Sequence, residues 1–255
     1  MNSVRLHGCK WNVNSWRWLA AFVMLWVSPA SALEYSQAPM LEKLVDDGKL
    51  PPLIERIPSD PRVIDLPGEG LANGRYGGDL RLLMGRTKDV RMMVVYGYAR
   101  LVTYTDEFEI VPDILRDIEV EGDRVFTLHL RPGHRWSDGK PFTSEDFRYW
   151  WEDIANNDEL SPFGPPKVMT VDGEVARFEL LSETAVRFSW SKPNPYFLPA
   201  LAGTRPQYIY APKHFLKKYH TKFQKPAKLA KRVKAAGVRS WAALHNRKDS
   251  PYKNK

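Results

Sequence analysis

The chain has 255 residues, 43% hydrophobic and 27% charged, with a formal net charge of +8 and a single cysteine, Cys9. One cysteine excludes an internal disulfide framework, so a hydrophobic core must hold the fold. The charge is segregated. Residues 213–255 hold 14 Lys/Arg against one acid, whereas residues 33–212 hold 21 against 29 Asp/Glu.

In chain order, the first 17 residues contain Arg5, Lys10 and Arg17 and no acid. Residues 18–27 read WLAAFVMLWV, ten apolar residues where a membrane span needs ~20. Ser28-Pro29 breaks the run, and Ala30-Ser31-Ala32 has the small-x-small form of a cleavage site. We therefore expect a secretory signal peptide over residues 1–32, cleaved after Ala32.

Residues 38–57 predict a short amphipathic helix through Leu41, Leu44 and Val45. Gly48 ends it, and Pro51-Pro52 blocks its resumption. Gly77-Gly78 introduces a strand over 79–84. Residues 91–105 predict a buried helix to about Arg100 and then a short strand. Val111–Leu115 reads as a turn or short helix.

A hairpin is the clearest element. Asp117–Val120 leads through Glu121-Gly122-Asp123-Arg124 into Val125–Leu130, with Phe126, Leu128 and Leu130 on the core face and His129 exposed. Trp136 and a turn at Ser137–Pro141 follow. Thr143 caps a helix with Asp146 at its third position, close to a capping box. Phe147, Trp150, Trp151 and Ile154 give that helix an apolar face, and Asn156-Asn157 ends it. Strands at Lys167–Val171, Ala176–Leu181 and Ala185–Trp190 read as a β-meander. Residues 191–212 read as a structured loop. Helices are expected over 213–219, 226–236 and 237–245.

Catalytic motifs are absent: there is no G-x-S-x-G, H-E-x-x-H, Walker loop or G-x-G-x-x-G. His129 and His134 are near one another but lack a third ligand at metal spacing. Asp113, Asp117, Asp138 and Asp146 fit turns and caps better than a carboxylate dyad. No enzyme, cofactor or metal is expected. The loop Pro206-Gln207-Tyr208-Ile209-Tyr210 has the aromatic character of a pocket wall, with core packing as the alternative. The C-terminal lysines are read as wet helix faces, because the glycine-aromatic interleaving of a strand-binding surface is missing. Nucleic acid is not expected as a partner.

Residues 125–151, VFTLHLRPGHRWSDGKPFTSEDFRYWW, resemble the peptide-type (family 5) solute-binding proteins of bacterial ABC importers. Tyr76-Gly77-Gly78, Ile110–Asp113, Asn194-Pro195 and Ala211–Phe215 are similar to the same family. The resemblance implies a mixed α/β fold, a periplasmic-binding-protein-like type II lobe, and hinge closure on a ligand. It implies a periplasmic monomer that carries a peptide or other small solute to a permease in the inner membrane.

By position in that family, ligand contacts are expected from the loop after the first strand. Arg86 and Lys88 would meet a carboxylate and Asp89 an amino terminus, with Thr87 between them; the alternative is a solvated loop. Tyr96, Tyr208 and Tyr210 are further candidates. Family members are considerably longer. Residues 33–255 are therefore expected to form an N-terminal lobe, truncated before the hinge and second lobe. The alternative is a fragment that binds no solute, or an interaction protein with a basic C-terminal tail.

Overall fold

A computed structural model describes residues 35–64, 72–86, 89, 99–204 and 206–250. The expected signal peptide lies outside the described residues, as do residues 90–98, most of the expected buried helix. Ala99 and Arg100 are not helical.

The N-terminal helix is split. A 3-10 turn, Pro39–Leu41, runs into α1, Glu42–Asp46, and a second turn, α2, spans Leu53–Arg56. Pro51-Pro52 therefore does not block resumption. Pro52 stands at the N-cap of α2, where proline's missing N–H costs no helical bond. The strand expected over 79–84 is also not formed. The segment is outside any ladder, and Leu80, Leu82 and Leu83 are exposed. Its alternating pattern has no described sheet neighbour to cover it.

β1 (Val102–Tyr104) and β2 (Ile110–Pro112) form a small antiparallel pair, and β3 spans Leu115–Glu121. The expected turn or helix at 111–115 is thus the end of β2, a bend, and the start of β3. Pro112 is tolerated because this two-stranded ribbon has only edges.

The principal sheet has four antiparallel strands in the order β3-β4-β8-β7, with β4 at Val125–Leu130, β7 at Arg177–Ser182 and β8 at Ala185–Ser189. The expected meander is therefore corrected. Lys167–Met169 is a 3-10 turn, and Thr170–Val171 (β5) pairs with Glu174–Val175 (β6) in a separate ribbon. β8 crosses back to sit between β4 and β7. The register pairs Phe126 with Phe188 and Leu128 with Val186. On β3 and β4 the hairpin forms as expected, with Gly122 and Asp123 at φ 55° and 52°. That left-handed pair matches the right-handed twist of the strands.

One sheet face is apolar. Phe126 lies 4.9 Å from Phe197 between ring centroids, and Phe188 lies 5.6 Å from Phe197 and 5.8 Å from Trp151. The other face is polar, where Arg187 Nε donates to Thr127 Oγ1 and His129 pairs with Glu119 at 3.0 Å. His129 is thus half-buried and paired rather than freely exposed.

Helix α3, Ser144–Arg148, continues as a π-helix over Tyr149–Ala155. The expected α-helix to Ile154 is corrected at that point. The Asn156 N–H reaches the Trp151 carbonyl five residues back, at 3.1 Å. The wider turn lets Tyr149, Trp150 and Trp151 all stay buried.

The loop expected over 191–212 contains a helix, α4, at Phe197–Ala202. Phe197 and Leu201, four apart, bury one face of it, and Pro199 falls in its first turn, where it removes no helical bond. Helices α5 (Lys213–Leu216), α6 (Pro226–Ala235) and α7 (Trp241–Asp249) follow. The last begins four residues later than expected. Gly237 belongs to the end of α6, and Ser240 Oγ accepts from the Ala243 N–H at 3.1 Å to cap α7. Replacing Ser240 with alanine should cost about 1 kcal/mol in urea denaturation. A loss below a few tenths would mean that the cap is redundant.

Candidate functional site

The motif over 125–151 folds around one carboxylate. Asp146 is 4% exposed. Its Oδ2 accepts from Trp136 Nε1 (3.0 Å) and from the Thr143 N–H (3.1 Å), and its Oδ1 accepts from the Lys213 N–H (3.1 Å). Its carbonyl accepts from the Ala211 N–H at 3.1 Å. Burial pushes the carboxyl pKa up, and the three hydrogen bonds oppose that rise. The third residue of α3, which completes its capping box, is therefore also the clamp that fixes Trp136 and the segment 211–213.

Gly133 makes the close approach of Pro58-Ser59 to the motif possible. It has φ 83°, and a Cβ there would lie 3.3 Å from the Ser59 nitrogen. Ser59 N–H donates to the Pro132 carbonyl at 3.0 Å, tying the N-terminal segment to the motif.

What the clamp positions is an aromatic wall. Trp136 meets Phe142 edge-on at 5.3 Å, and Tyr210 lies 5.1 Å from Phe142 and 5.9 Å from Tyr208. These rings line an open cleft of about 1000 Å³, with His134 and Trp150. Its polar rim includes Arg135, Gln207, Asn246, Lys248 and Asp249. The His134 pKa is lowered, first by burial and then by the charge of Arg131. Burial pushes the Tyr210 phenol far up, so it stays protonated. Such a cleft can bind an amphipathic solute by apolar contact and orient it by a few polar groups.

One wall of the cleft is fixed from behind. Tyr149 OH and His245 Nε2 lie 2.8 Å apart, both fully buried. His220 Nδ1 accepts from the Lys222 N–H (3.1 Å), so its Nε2 carries the proton and donates to the Asp153 carbonyl (3.0 Å). Lys222 Nζ donates to Asp153 Oδ1 at 2.6 Å. This cluster joins the π-helix to α7, whose last turn reaches the cleft rim.

Of the residues expected at the site, Tyr208 and Tyr210 line the cleft. Arg86 and Asp89 do not: Arg86 is exposed, and Asp89 is half-buried in a turn where its N–H donates to the Arg86 carbonyl at 2.9 Å. Thr87, Lys88 and Tyr96 lie outside the described residues. Sequence reasoning missed Trp136, Phe142 and Trp150 as wall residues, having read them as core or motif. His134 was considered only as a metal ligand. The cue was available in the motif itself, where His134, Trp136 and Phe142 cluster within nine residues.

A family model described as bacterial extracellular solute-binding proteins, family 5 Middle, matches residues 109–236, half of the chain. The periplasmic alpha-galactoside-binding protein of Rhizobium meliloti (strain 1021) is 28% identical over 203 residues, covering 71% of this chain and 29% of that protein. The periplasmic oligopeptide-binding protein OppA of Salmonella typhimurium is 28% identical over 130 residues, covering 46% of this chain and 24% of OppA. A solved structure of an oligopeptide-binding protein OppA superposes with a TM-score of 0.73 at 31% identity, covering 85% of this chain and 33% of that one. The chain thus spans less than a third of the length of these relatives. The matched range 109–236 includes the hairpin, Asp146 and the aromatic helix, and the mixed α/β lobe is that of a periplasmic binding protein. The chain belongs to the family 5 bacterial extracellular solute-binding proteins.

Proposed function

We propose that this chain is the solute-recognising component of an ABC importer, acting in the periplasm as a monomer and delivering peptides to an inner-membrane permease. The observation that carries the reading is the clamped aromatic cleft, set in a lobe similar to that of OppA. Tyr208 and Tyr210 supply contact area at low entropic cost. The 85–89 loop, with Arg86, Thr87, Lys88 and Asp89, and Tyr96 are proposed to complete recognition of the peptide termini. Residues 1–32 serve as the export signal and residues 33–255 as one lobe of the clamp. The role is binding, not catalysis.

A second reading is that the solute is an α-galactoside. It is favoured by the greater reach of that relative, which aligns over 71% of this chain against 46% for OppA.

One lobe buries less ligand surface than a closed pair, so binding by this chain alone is expected to be weak. Trp136 and Trp150 in the cleft provide the readout. Titration with a tetrapeptide mixture should change tryptophan fluorescence with a Kd above the micromolar range. The change should be smaller with raffinose, and Tyr208→Ala should weaken it about tenfold. A response to raffinose alone would replace the peptide reading by the sugar reading. Sub-micromolar binding would overturn the single-lobe assignment, and no response to either solute class would overturn both.

A further inference from the structure

The segment from Lys213 to Ser250 contains 12 Lys/Arg and one acid, Asp249, and its charges work against its own helices. In α6, Lys228 and Lys231, Lys231 and Lys234, and Lys228 and Arg232 are like-charge neighbours three or four apart. Such pairs destabilise a helix. Lys225 stands at the N-cap and Lys228 in the first turn, where a positive charge opposes the helix dipole. No acid lies in α6 to offset them.

These lysines are also unengaged. Lys225, Lys228, Lys231 and Lys234 are all exposed, and among the described residues they form no ion pair. The lysine ion pairs of the segment are Lys213 with Glu145 and Lys222 with Asp153. Leu229 is the buried anchor of α6, so Lys231 points away from the body with Lys228 and Lys234 flanking it. The body, residues 33–212, has a formal charge of −8, so this is a local concentration and not a generally basic protein.

We propose that the exposed lysine face of α6 docks on an anionic phospholipid surface. The residue types favour lipid over other acidic partners. Lysine is a hydrated point charge on a flexible stem, suited to a mobile array of phosphates. A protein interface would be expected to offer arginine and aromatic anchors, and a nucleic-acid strand would need stacking rings. The nearby rings are already occupied: Lys218 lies 5.5 Å from Phe215, and Arg232 and Lys248 lie 5.6 and 5.8 Å from Tyr219. The surface is separate from the aromatic cleft, so the inference does not depend on which solute is bound.

The test compares the full chain with the triple variant Lys228→Gln, Lys231→Gln, Lys234→Gln. Both are sedimented with phosphatidylcholine vesicles containing or lacking phosphatidylglycerol. Both share residues 1–32, so a difference between them belongs to the three lysines. Binding to the phosphatidylglycerol vesicles should fall on the order of 10²-fold in the variant, at about fivefold per lysine. Wild-type binding should weaken steeply with added salt. The thermal midpoint of the variant should be unchanged or higher, since like-charge neighbours have been removed. Equal binding to both vesicle types, or undiminished binding by the variant, would overturn the proposal. So would a lower midpoint, which would make the lysines structural, or tighter binding to polyglutamate or a DNA oligonucleotide than to the vesicles.

Discussion

Replacing Asp146 with alanine is expected to destabilise the protein by about 4 kcal/mol. The change strands three donors at once: Trp136 Nε1, the Thr143 N–H and the Lys213 N–H. Each unsatisfied buried donor costs about 1–3 kcal/mol, and partial exposure of Trp136 and Lys213 lowers the sum. Asp146→Asn keeps one accepting oxygen but turns an amide N–H₂ toward at least one of the donors, so it should recover less than half of the loss. Glu145 is the control. It sits one residue away and bonds Arg148 and Lys213, which hold its pKa at about 2. Because it is largely solvated, Glu145→Gln should cost under about 1 kcal/mol. Urea denaturation of the three variants checks the order. If Asp146→Ala cost no more than Glu145→Gln, the clamp would be a surface contact and the cleft wall would be held by packing alone. Asp146→Ala should also blunt the tryptophan response to solute, because Trp136 loses its anchor.

What was legible in the sequence was local. The Glu121–Arg124 turn, the alternation of Phe126, Leu128 and Leu130, and the pairing of Thr143 with Asp146 each lie within a few residues, and all form. The return of β8 to sit beside β4 pairs residues about sixty apart, and no local signal marks it. Helix α4 was hidden by Pro195, Pro199 and Gly203. A six-residue helix has little intrinsic stability, and this one exists because Phe197 packs on Phe126 and Phe188 of the sheet and Leu201 is buried beside it in the core. The site was legible in part for a different reason. Tyr208 and Tyr210 stood out in a loop, where aromatics need a purpose. Trp136 and Trp150 were read as core or motif, and they are: their rings pack on one side and face the cleft on the other. Composition cannot separate those two roles, because both need the same apolar surface.

The pH dependence of stability should carry the signature of His245. The residue is fully buried, its Nε2 is matched to Tyr149 OH, and its Nδ1 has no hydrogen-bond partner among the described residues. Charging the ring makes both nitrogens donors, which leaves the Nδ1 N–H without an acceptor among the described residues and removes Nε2 as an acceptor for the Tyr149 hydroxyl. Asp249, one turn along α7, is itself pushed up to about 6 by burial. His220 faces it at 5.8 Å and Trp241 at 6.4 Å, and Asp153 of the π-helix is bound to Lys222. Burial first, and then the neighbouring His220, lower the His245 pKa to about 4. The unfolded chain titrates near 6.5. Between those values the unfolded state takes up a proton that the folded state refuses. Stability from this group is therefore complete above about pH 6.5 and is lost as the pH falls toward 4, by about 3 kcal/mol in all. His220, also lowered by burial, acts in the same direction. Carboxyls raised by burial, Asp249 to about 6 and Asp146 in the same direction, act in the opposite one, so the raw curve is composite. The difference between wild type and His245→Gln isolates the effect, since glutamine does not titrate. The variant should be less stable at pH 7.5, and the gap should narrow by about 3 kcal/mol between pH 7 and pH 4. A constant gap across that range would show that His245 charges as readily in the folded protein as in the unfolded chain. The Tyr149–His245 contact would then not be the buried tie that fixes α7, and the rim of the cleft with it, against the π-helix.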